Sequence, residues 1–298
     1  MLTINPSATA VRFHEQEVTR IFEKLLTNKF VVRGKNKERK YLHFSFLKFL
    51  KVHYQELVSG KPNELLQLHE KYESLPLSCD HRKLIKSFFI DTGYGNFNNQ
   101  EFLEKLNIDT CVYCNRNYTV QLVKDRARAQ LDHWFPKESH PLLALSFYNL
   151  IPSCQSCNHI KLNKAPECGW HKALENIFHP YEEELIFSFS YDYNTRITDP
   201  SVKFIDTDSK AETSLKYSRL KEIYDSSSKR ELKDLLDLRY KYSDNYLKIL
   251  FEDTFNLSIS EREISRFLFG VESKKEDYHK RPFSKFKKDI IEELLRIG

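Results

Sequence analysis

Glycine and proline are scarce in this chain, seven and ten in 298 residues. That excludes collagen-like and low-complexity architectures and leaves regular elements joined by ordinary loops. No window approaches eighteen uninterrupted apolar residues, so no bilayer span is expected. The start, MLTINPSATAVRFHEQEV, lacks a basic stretch followed by an apolar core, so no secretory signal is expected and the cytoplasm is the expected compartment. Cysteine is limited to six positions, and four of them fall in C-x-x-C pairs. Metal binding in a reducing compartment fits that usage better than a disulfide scaffold does. Charge of one sign is not in large excess either. Forty-seven basic against 42 acidic residues leave a net +5, a mild lean toward polyanions that equally serves solubility. What is present is 40% hydrophobic and 13% aromatic residues, ample for real cores, in a length that suits one large domain or two to three small ones.

Periodicity divides the chain into three spans. Residues 1–100 read mostly as helices, with Val18, Ile21, Phe22, Leu25 and Leu26, then Phe44, Phe46, Leu47 and Leu50, then Leu65, Leu66 and Leu68 at helical spacing,. Between the first two lies the basic segment Arg33 to Lys40, expected as a loop that either tracks a phosphate backbone or is a solvated turn. The Gly/Asn-rich stretch from Thr92 to Asn99 marks a boundary into a central module, 101–184. There, Tyr118–Val123 and Ala129–Trp134 have strand-like composition around a charged turn, 124–128, and a helix is expected from near Cys157 toward Lys164,. Residues 185–298 return to helices after a short alternating strand, Leu185–Tyr191. Leu215, Leu220 and Ile223 form one face, Leu232, Leu235 and Leu236 a second, and Tyr246, Leu247 and Leu250 continue it, with a break at Ser226–Ser228 and a closing helix from Pro282 to Leu295. The fold class is therefore mainly α with a small α+β core.

The most specific signal lies between Cys111 and Lys164. Cys111 and Cys114 make one knuckle and Cys154 and Cys157 another. Tetrahedral Zn²⁺ takes two such knuckles, and four thiolates close its shell and leave no position for water, the mark of a structural site. Cys79 and Cys168 are expected to be free thiols. Inside the same stretch sit the residues a phosphodiesterase needs, namely a base for water and a cation to neutralise developing charge. Asp132 and His133 are adjacent, so on a strand they diverge: the carboxylate can hold a hard cation while the imidazole stays free as base. Asn158 follows a cysteine directly, where it is either a helix cap or a ligand. Asn149 enters the second knuckle and can pin the loop. Lys161 and Lys164, three and six residues after Asn158, suit phosphate contact.

Taken together, C-x-x-C, Leu131-Asp-His133, Asn149 and Cys154-x-x-Cys-Asn158-x-x-Lys161 resemble the HNH endonucleases, the zinc-knuckle branch of the ββα-metal nucleases, over under a fifth of the chain. The resemblance implies a ββα-metal finger with a four-cysteine zinc knuckle flanked by helical regions. It makes His133 the general base, Asp132 and Asn158 the Mg²⁺ or Mn²⁺ ligands, Asn149 the structural asparagine, and DNA the substrate, cut to 5′-phosphate and 3′-OH ends. That last ligand position is often histidine in the family, so His159 is the substitute for Asn158. More loosely the layout is similar to the HNH nucleases that work with an ABC-type ATPase in Septu and related retron anti-phage systems. Arg116 after Cys-Val-Tyr-Cys, His179-Pro-Tyr181, and Arg281-Pro-Phe-Ser-Lys285 carry that likeness, and Arg116 joins Lys161 and Lys164 as a nucleic-acid contact. An RNA-cleaving enzyme (on tRNA or a retron hybrid) and a non-catalytic zinc-ribbon adaptor are the competing readings; no aromatic RNP strand supports the former.

Several other residues carry two readings. His140, His171 and His179 are expected as surface or loop histidines, the alternative being DNA or a second metal. Trp134 and Phe135 pack the finger or stack on an unpaired base. Lys280, Arg281, Lys285, Lys287 and Lys288 extend a DNA path, contact a partner, or form a solvated helix face.

Overall fold

The first helix shows why this sequence favours long regular elements. α1 spans Ala8–Asn28; Ser7 caps it, accepting from the Ala10 amide at 3.1 Å, and Ala10, His14, Val18, Phe22 and Leu25 line its buried face,. Lys29, in the left-handed region at φ 60°, ends it. The computed structural model describes residues 1–34, 36–120, 130–161, 164–192, 200–241, Glu263, Arg266 and 268–296. Within them the chain is mostly helical, with three two-stranded sheets.

The basic segment expected as a loop is a hairpin. β1 (Phe30–Arg33) pairs antiparallel with β2 (Glu38–Tyr41). Gly34 at φ 73° and Lys37 at φ 51° supply the positive φ of the turn,, and Phe, Val and Tyr in its arms favour strands. α2 (Phe44–Ser59), α3 (Pro62–Glu73, with Pro62 at its first position) and α4 (Cys79–Ser87) follow,. α4 continues into a π-helical segment, Phe88–Gly93, and a last turn, Tyr94–Asn96. Much of the Gly/Asn-rich boundary stretch is thus helical. A Cβ on Gly93 would lie 2.8 Å from Leu145 Cδ1, so glycine is what lets this segment lie directly on the 141–145 loop.

In the central span β3 (Gln130–His133) pairs antiparallel with β4 (Leu150–Ser153), Asp132 opposite Ile151 and His133 opposite Leu150. The helix Gln155–Lys161 follows at once. β3 lies within the expected strand 129–134. Of the other expected strand, 118–123, only 118–120 are described; they make a single bridge, Tyr118 to Thr110, as the first knuckle turns the chain back on itself. The turn 124–128 lies outside the described residues. β4 escaped the sequence reading because it holds Pro152, which donates no ladder bond and is tolerated only where no partner needs its nitrogen.

β5 (Ser188–Asp192) pairs with β6 (Ser201–Ile205), so the strand expected at 185–191 begins three residues later. Helices Ser209–Tyr217, Leu220–Ser227 and Lys229–Lys241 are divided near the serine break, and Ser284–Arg296 forms the closing helix. Tyr246, Leu247 and Leu250 lie outside the described residues. Buried side chains of all three spans share one cluster, running from Phe22 and Phe46 through Phe102 and Phe147 to Phe189 and Phe286. No helix among the described residues is long and apolar enough to cross a membrane.

Candidate functional site

The two knuckles meet. Cys111, Cys114, Cys154 and Cys157 are all buried, and their sulfurs lie within 4.8 Å of one another, Cys114 to Cys154 at 4.0 Å. A tetrahedron with Zn–S of 2.3 Å has sulfurs about 3.8 Å apart, so the cluster can hold a zinc ion with small adjustments. The first knuckle is tied to its surroundings by backbone bonds, Cys111 N to Asn117 O at 2.9 Å, Asn115 N to Cys111 O at 2.7 Å and Val112 N to Pro152 O at 3.2 Å. Asn117 Nδ2 donates to Cys154 Sγ at 3.3 Å, the kind of bond that supports a metal-bound thiolate. Burial pushes the Cys111 thiol up, whereas hydrogen bonds from its neighbours, Cys111 foremost, hold Cys154 down. Cys79 and Cys168 are free.

Asp132 is buried against the same knuckle. Its Oδ2 accepts from the Tyr113 hydroxyl at 2.6 Å and from Lys161 Nζ at 2.9 Å, and Lys161 also donates to the His133 carbonyl at 2.6 Å. Lys161 is therefore placed differently from the phosphate-facing position expected of it: the ammonium points inward and the side chain is 7% exposed. The cause is geometric. The helix that carries it leaves the second knuckle across β3, with its last turn over Asp132. Burial lowers the Lys161 pKa and the Asp132 charge opposes that shift. Lys161→Met is expected to destabilise the protein by about 3–5 kcal/mol at neutral pH, because the carboxylate would stay buried without a cation. Urea unfolding measures it, and the double variant with Asp132→Asn should recover most of the loss. A single-variant cost below about 1 kcal/mol, the range of exposed pairs, would show that the pair does not support the fold.

His133 faces another way. Nε2 lies 3.0 Å from the Ala144 carbonyl, and a carbonyl only accepts, so Nε2 carries the hydrogen and Nδ1 the lone pair. Tyr94 packs edge-on to the ring with centroids 4.6 Å apart. Burial, reinforced by Lys137, pushes the imidazole pKa down to about 3 against the opposing bond to Ala144, so the ring is neutral at physiological pH. Asn149 holds the loop that supplies this carbonyl. Its Oδ1 accepts from Phe135 N at 2.7 Å, and Nδ2 donates to Phe135 O at 3.1 Å and Leu143 O at 2.9 Å. It stitches the end of β3 to the 141–145 loop.

Leu131, Asp132, His133, Pro136, Lys137, Asn158 and His159 line one open cleft of about 180 Å³. Asn158 donates Nδ2 to Gln130 Oε1 at 2.8 Å, which leaves its amide oxygen as the atom to offer a cation. His159 is exposed on the same cleft, so both candidates for the last ligand border it. Lys164 is exposed just beyond, its carbonyl accepting from the Tyr217 hydroxyl at 2.8 Å. Arg116 lies elsewhere: its guanidinium sits 5.9 Å from the ring centres of both Tyr224 and Phe283, packed among C-terminal residues. Tyr113, Tyr94, Gln130 and the Ala144 carbonyl were missed. Tyr113, inside the first knuckle, and Gln130, just before Leu131 in the expected strand, stood near signals that could have found them.

The aromatic neighbours fill the interior. Trp134 and Phe135 are buried, with Trp134 Nε1 donating to Phe178 O at 3.1 Å. His140 and His179, expected as surface or loop histidines, lie in loops but are buried, His140 among Phe135, His69 and Trp170 and His179 against Trp134. His171 is exposed. The C-terminal cations are compensated: Lys280 by Asp277 at 2.6 Å, Arg281 by Glu272 at 3.4 Å, Lys285 by Asp289 at 2.8 Å, Lys287 by Glu231 at 2.7 Å, and Lys288 by Glu292.

Among known proteins, the chain is 32% identical over 56 residues to Septu protein PtuB of Bacillus thuringiensis, a match covering 19% of this chain and 20% of that one. The likeness spans only about a fifth of the curated relative. No family model matches the chain, and no solved structure matches it.

Proposed function

We propose that the chain is an HNH-type, metal-dependent endonuclease acting on DNA in anti-phage defence, with an ABC-type ATPase as its partner in the cytoplasm. The observation that carries this reading is His133, a neutral imidazole locked by Ala144 with Nδ1 unprotonated, on the same cleft as Asp132, Asn158 and His159. His133 takes the proton from water through Nδ1 while Nε2 stays bonded to the loop. A carboxylate and an amide oxygen are hard donors suited to Mg²⁺ or Mn²⁺. Held by Asp132 and Asn158, with His159 in place of Asn158 if needed, such an ion would offset charge on the phosphate and the departing oxygen. The four cysteines would hold Zn²⁺, which would keep the strand–strand–helix unit in shape,, and Asn149 keeps the base aimed. The partial likeness to a Septu protein supports the defence role and the partner.

Purified protein, alone and with its ATPase, should nick or cut plasmid in Mg²⁺ or Mn²⁺, and His133→Ala should lower the rate by at least about 10²–10⁴. Equal cutting by His133→Ala would remove His133 as the base. One observation favours a second reading: Lys161 already sits 2.9 Å from Asp132, supplying the positive charge a cation would. A zinc-bearing adaptor without catalysis accounts for that contact, and it predicts bound zinc with no cleavage of plasmid or of labelled tRNA in any divalent cation.

A further inference from the structure

The β1–β2 hairpin is the charged surface that the cleft does not absorb. Between positions 29 and 41 it carries six basic residues, Lys29, Arg33, Lys35, Lys37, Arg39 and Lys40, against one acidic residue, Glu38. That net +5 equals the net charge of the whole chain. Unlike the C-terminal cations, Arg33, Lys37 and Arg39 are exposed and make no ion pair among the described residues; Lys40 pairs with Glu38 at 2.8 Å.

The register sorts the hairpin into two faces. Val31 points into the core, at 3% exposure, while Phe30 opposite Tyr41 and Val32 opposite Arg39 share the outward face,. Tyr41 is 66% and Val32 50% exposed. Arg39 lies over the Phe30 ring at 4.9 Å, and Phe30 meets Tyr41 edge-on at 5.7 Å. The outward face mixes these apolar and aromatic side chains with the uncompensated Arg39 guanidinium, while Arg33, on the Val31 face, and Lys37, in the turn, are exposed at the tip; a ribbon that offers cations beside apolar groups suits a polyanion with grooves.

The position of the hairpin fits the same ligand. Phe30, Val31 and Val32 share a groove of about 450 Å³ with Phe88, Thr92 and Asn96. Tyr94, on the same helical segment, packs on His133. Residues two apart on a helix point to roughly opposite sides, so the hairpin and the His133 ring flank one segment about 10 Å thick.

We propose that the β1–β2 hairpin is a second nucleic-acid contact, a basic ribbon that grips duplex DNA within one helical turn of the cleft. A two-stranded ribbon fits the major groove of B-DNA, and the narrow major groove of A-form RNA excludes it. The placement beside the cleft rests on the nuclease reading; the binding surface itself does not.

The test is binding of a fluorescein-labelled 30-base-pair DNA duplex by the full chain, followed by anisotropy in Ca²⁺ buffer at several salt concentrations. The triple variant Arg33→Gln/Lys37→Gln/Arg39→Gln should make the slope of log K against log salt shallower by about 2.7, close to 0.9 per lost phosphate contact. Tyr41→Ala should weaken binding about fivefold with the slope unchanged, since an uncharged apolar contact in the groove releases no counterions. All four side chains are exposed, and unchanged far-UV circular dichroism would confirm that the variants fold. Wild-type affinity and slope in the triple variant would overturn the proposal; that is also the result expected if the hairpin instead docks an acidic protein. Hairpin-dependent binding without cleavage in any cation would sink the nuclease reading alone, and cleavage with hairpin-independent binding would sink the hairpin alone.

Discussion

Removing zinc with a chelator, or replacing Cys154 with alanine, is expected to cost several kcal/mol of stability and to dismantle the cleft. The second knuckle spans the end of β4 and the first turns of the helix Gln155–Lys161. That helix has seven residues, too few to persist without tertiary support,. It also brings Asn158 and His159 to the cleft and places Lys161 on Asp132. Without the metal, four thiols crowd together in a buried site and nothing holds the helix at its angle across β3. Structural zinc contributes folding free energy directly, so the loss should exceed that of any single core truncation nearby. Metal analysis should find one zinc per chain in the wild type and none in Cys154→Ala, with a lowered urea midpoint and lost plasmid cleavage. Cys79→Ala and Cys168→Ala, which change thiols outside the cluster, should leave zinc content and midpoint unchanged. Full stability without metal would mean that packing alone holds the knuckles.

How much of this was legible in the sequence depended on the kind of signal. Cysteine spacing predicted the meeting of the four sulfurs because a C-x-x-C turn constrains two side chains locally. The α1 stripe was equally legible, since burial repeats at helical period. Strands β1, β2 and β4 were not. β4 is Leu-Ile-Pro-Ser, where proline argues against a strand, and β1–β2 hides its alternation under a run of charges. Contacts that decide the site were illegible for a different reason. The Ala144 carbonyl that fixes the His133 tautomer is a backbone group with no residue signature, and Tyr94 reaches His133 from 39 positions away in sequence. Lys161 shows the limit of helical spacing: its interval from Asn158 was read correctly, but whether that face turns to solvent or to Asp132 is set by the crossing of helix and strand.

The stability of the protein should fall steeply as pH drops below about 6.5, and histidines rather than carboxylates are expected to dominate the fall. His14, His133, His140 and His179 are all buried, and burial pushes each pKa down to about 3. His14 bonds Leu145 O at 2.9 Å amid Phe97, Phe102 and Phe147, so charging it would put an imidazolium into a ring of aromatics. The sign follows from linkage. Between about pH 6.5 and 3 the unfolded chain holds a proton on each of these rings that the folded chain refuses. The stabilisation they contribute is thus complete above the unfolded value and is lost as pH falls toward the folded one. Four protons correspond to a slope of roughly 5 kcal/mol per pH unit near pH 5. A domain with a typical stability of about 5–15 kcal/mol would lose it within a few pH units. Asp109, Glu182 and Asp289, whose carboxyls are raised by burial, act in the opposite sense by taking up protons first in the folded state. They blunt the loss at the acid end of the window without moving its onset. Urea midpoints between about pH 7.5 and 4.5 give the slope directly. His14→Phe, which keeps an aromatic ring in that pocket, should flatten the slope by about one proton. A slope near zero between about pH 6.5 and 5 would mean that these rings are hydrated or charged in the folded protein, and the neutral His133 on which the proposed base rests would go with it.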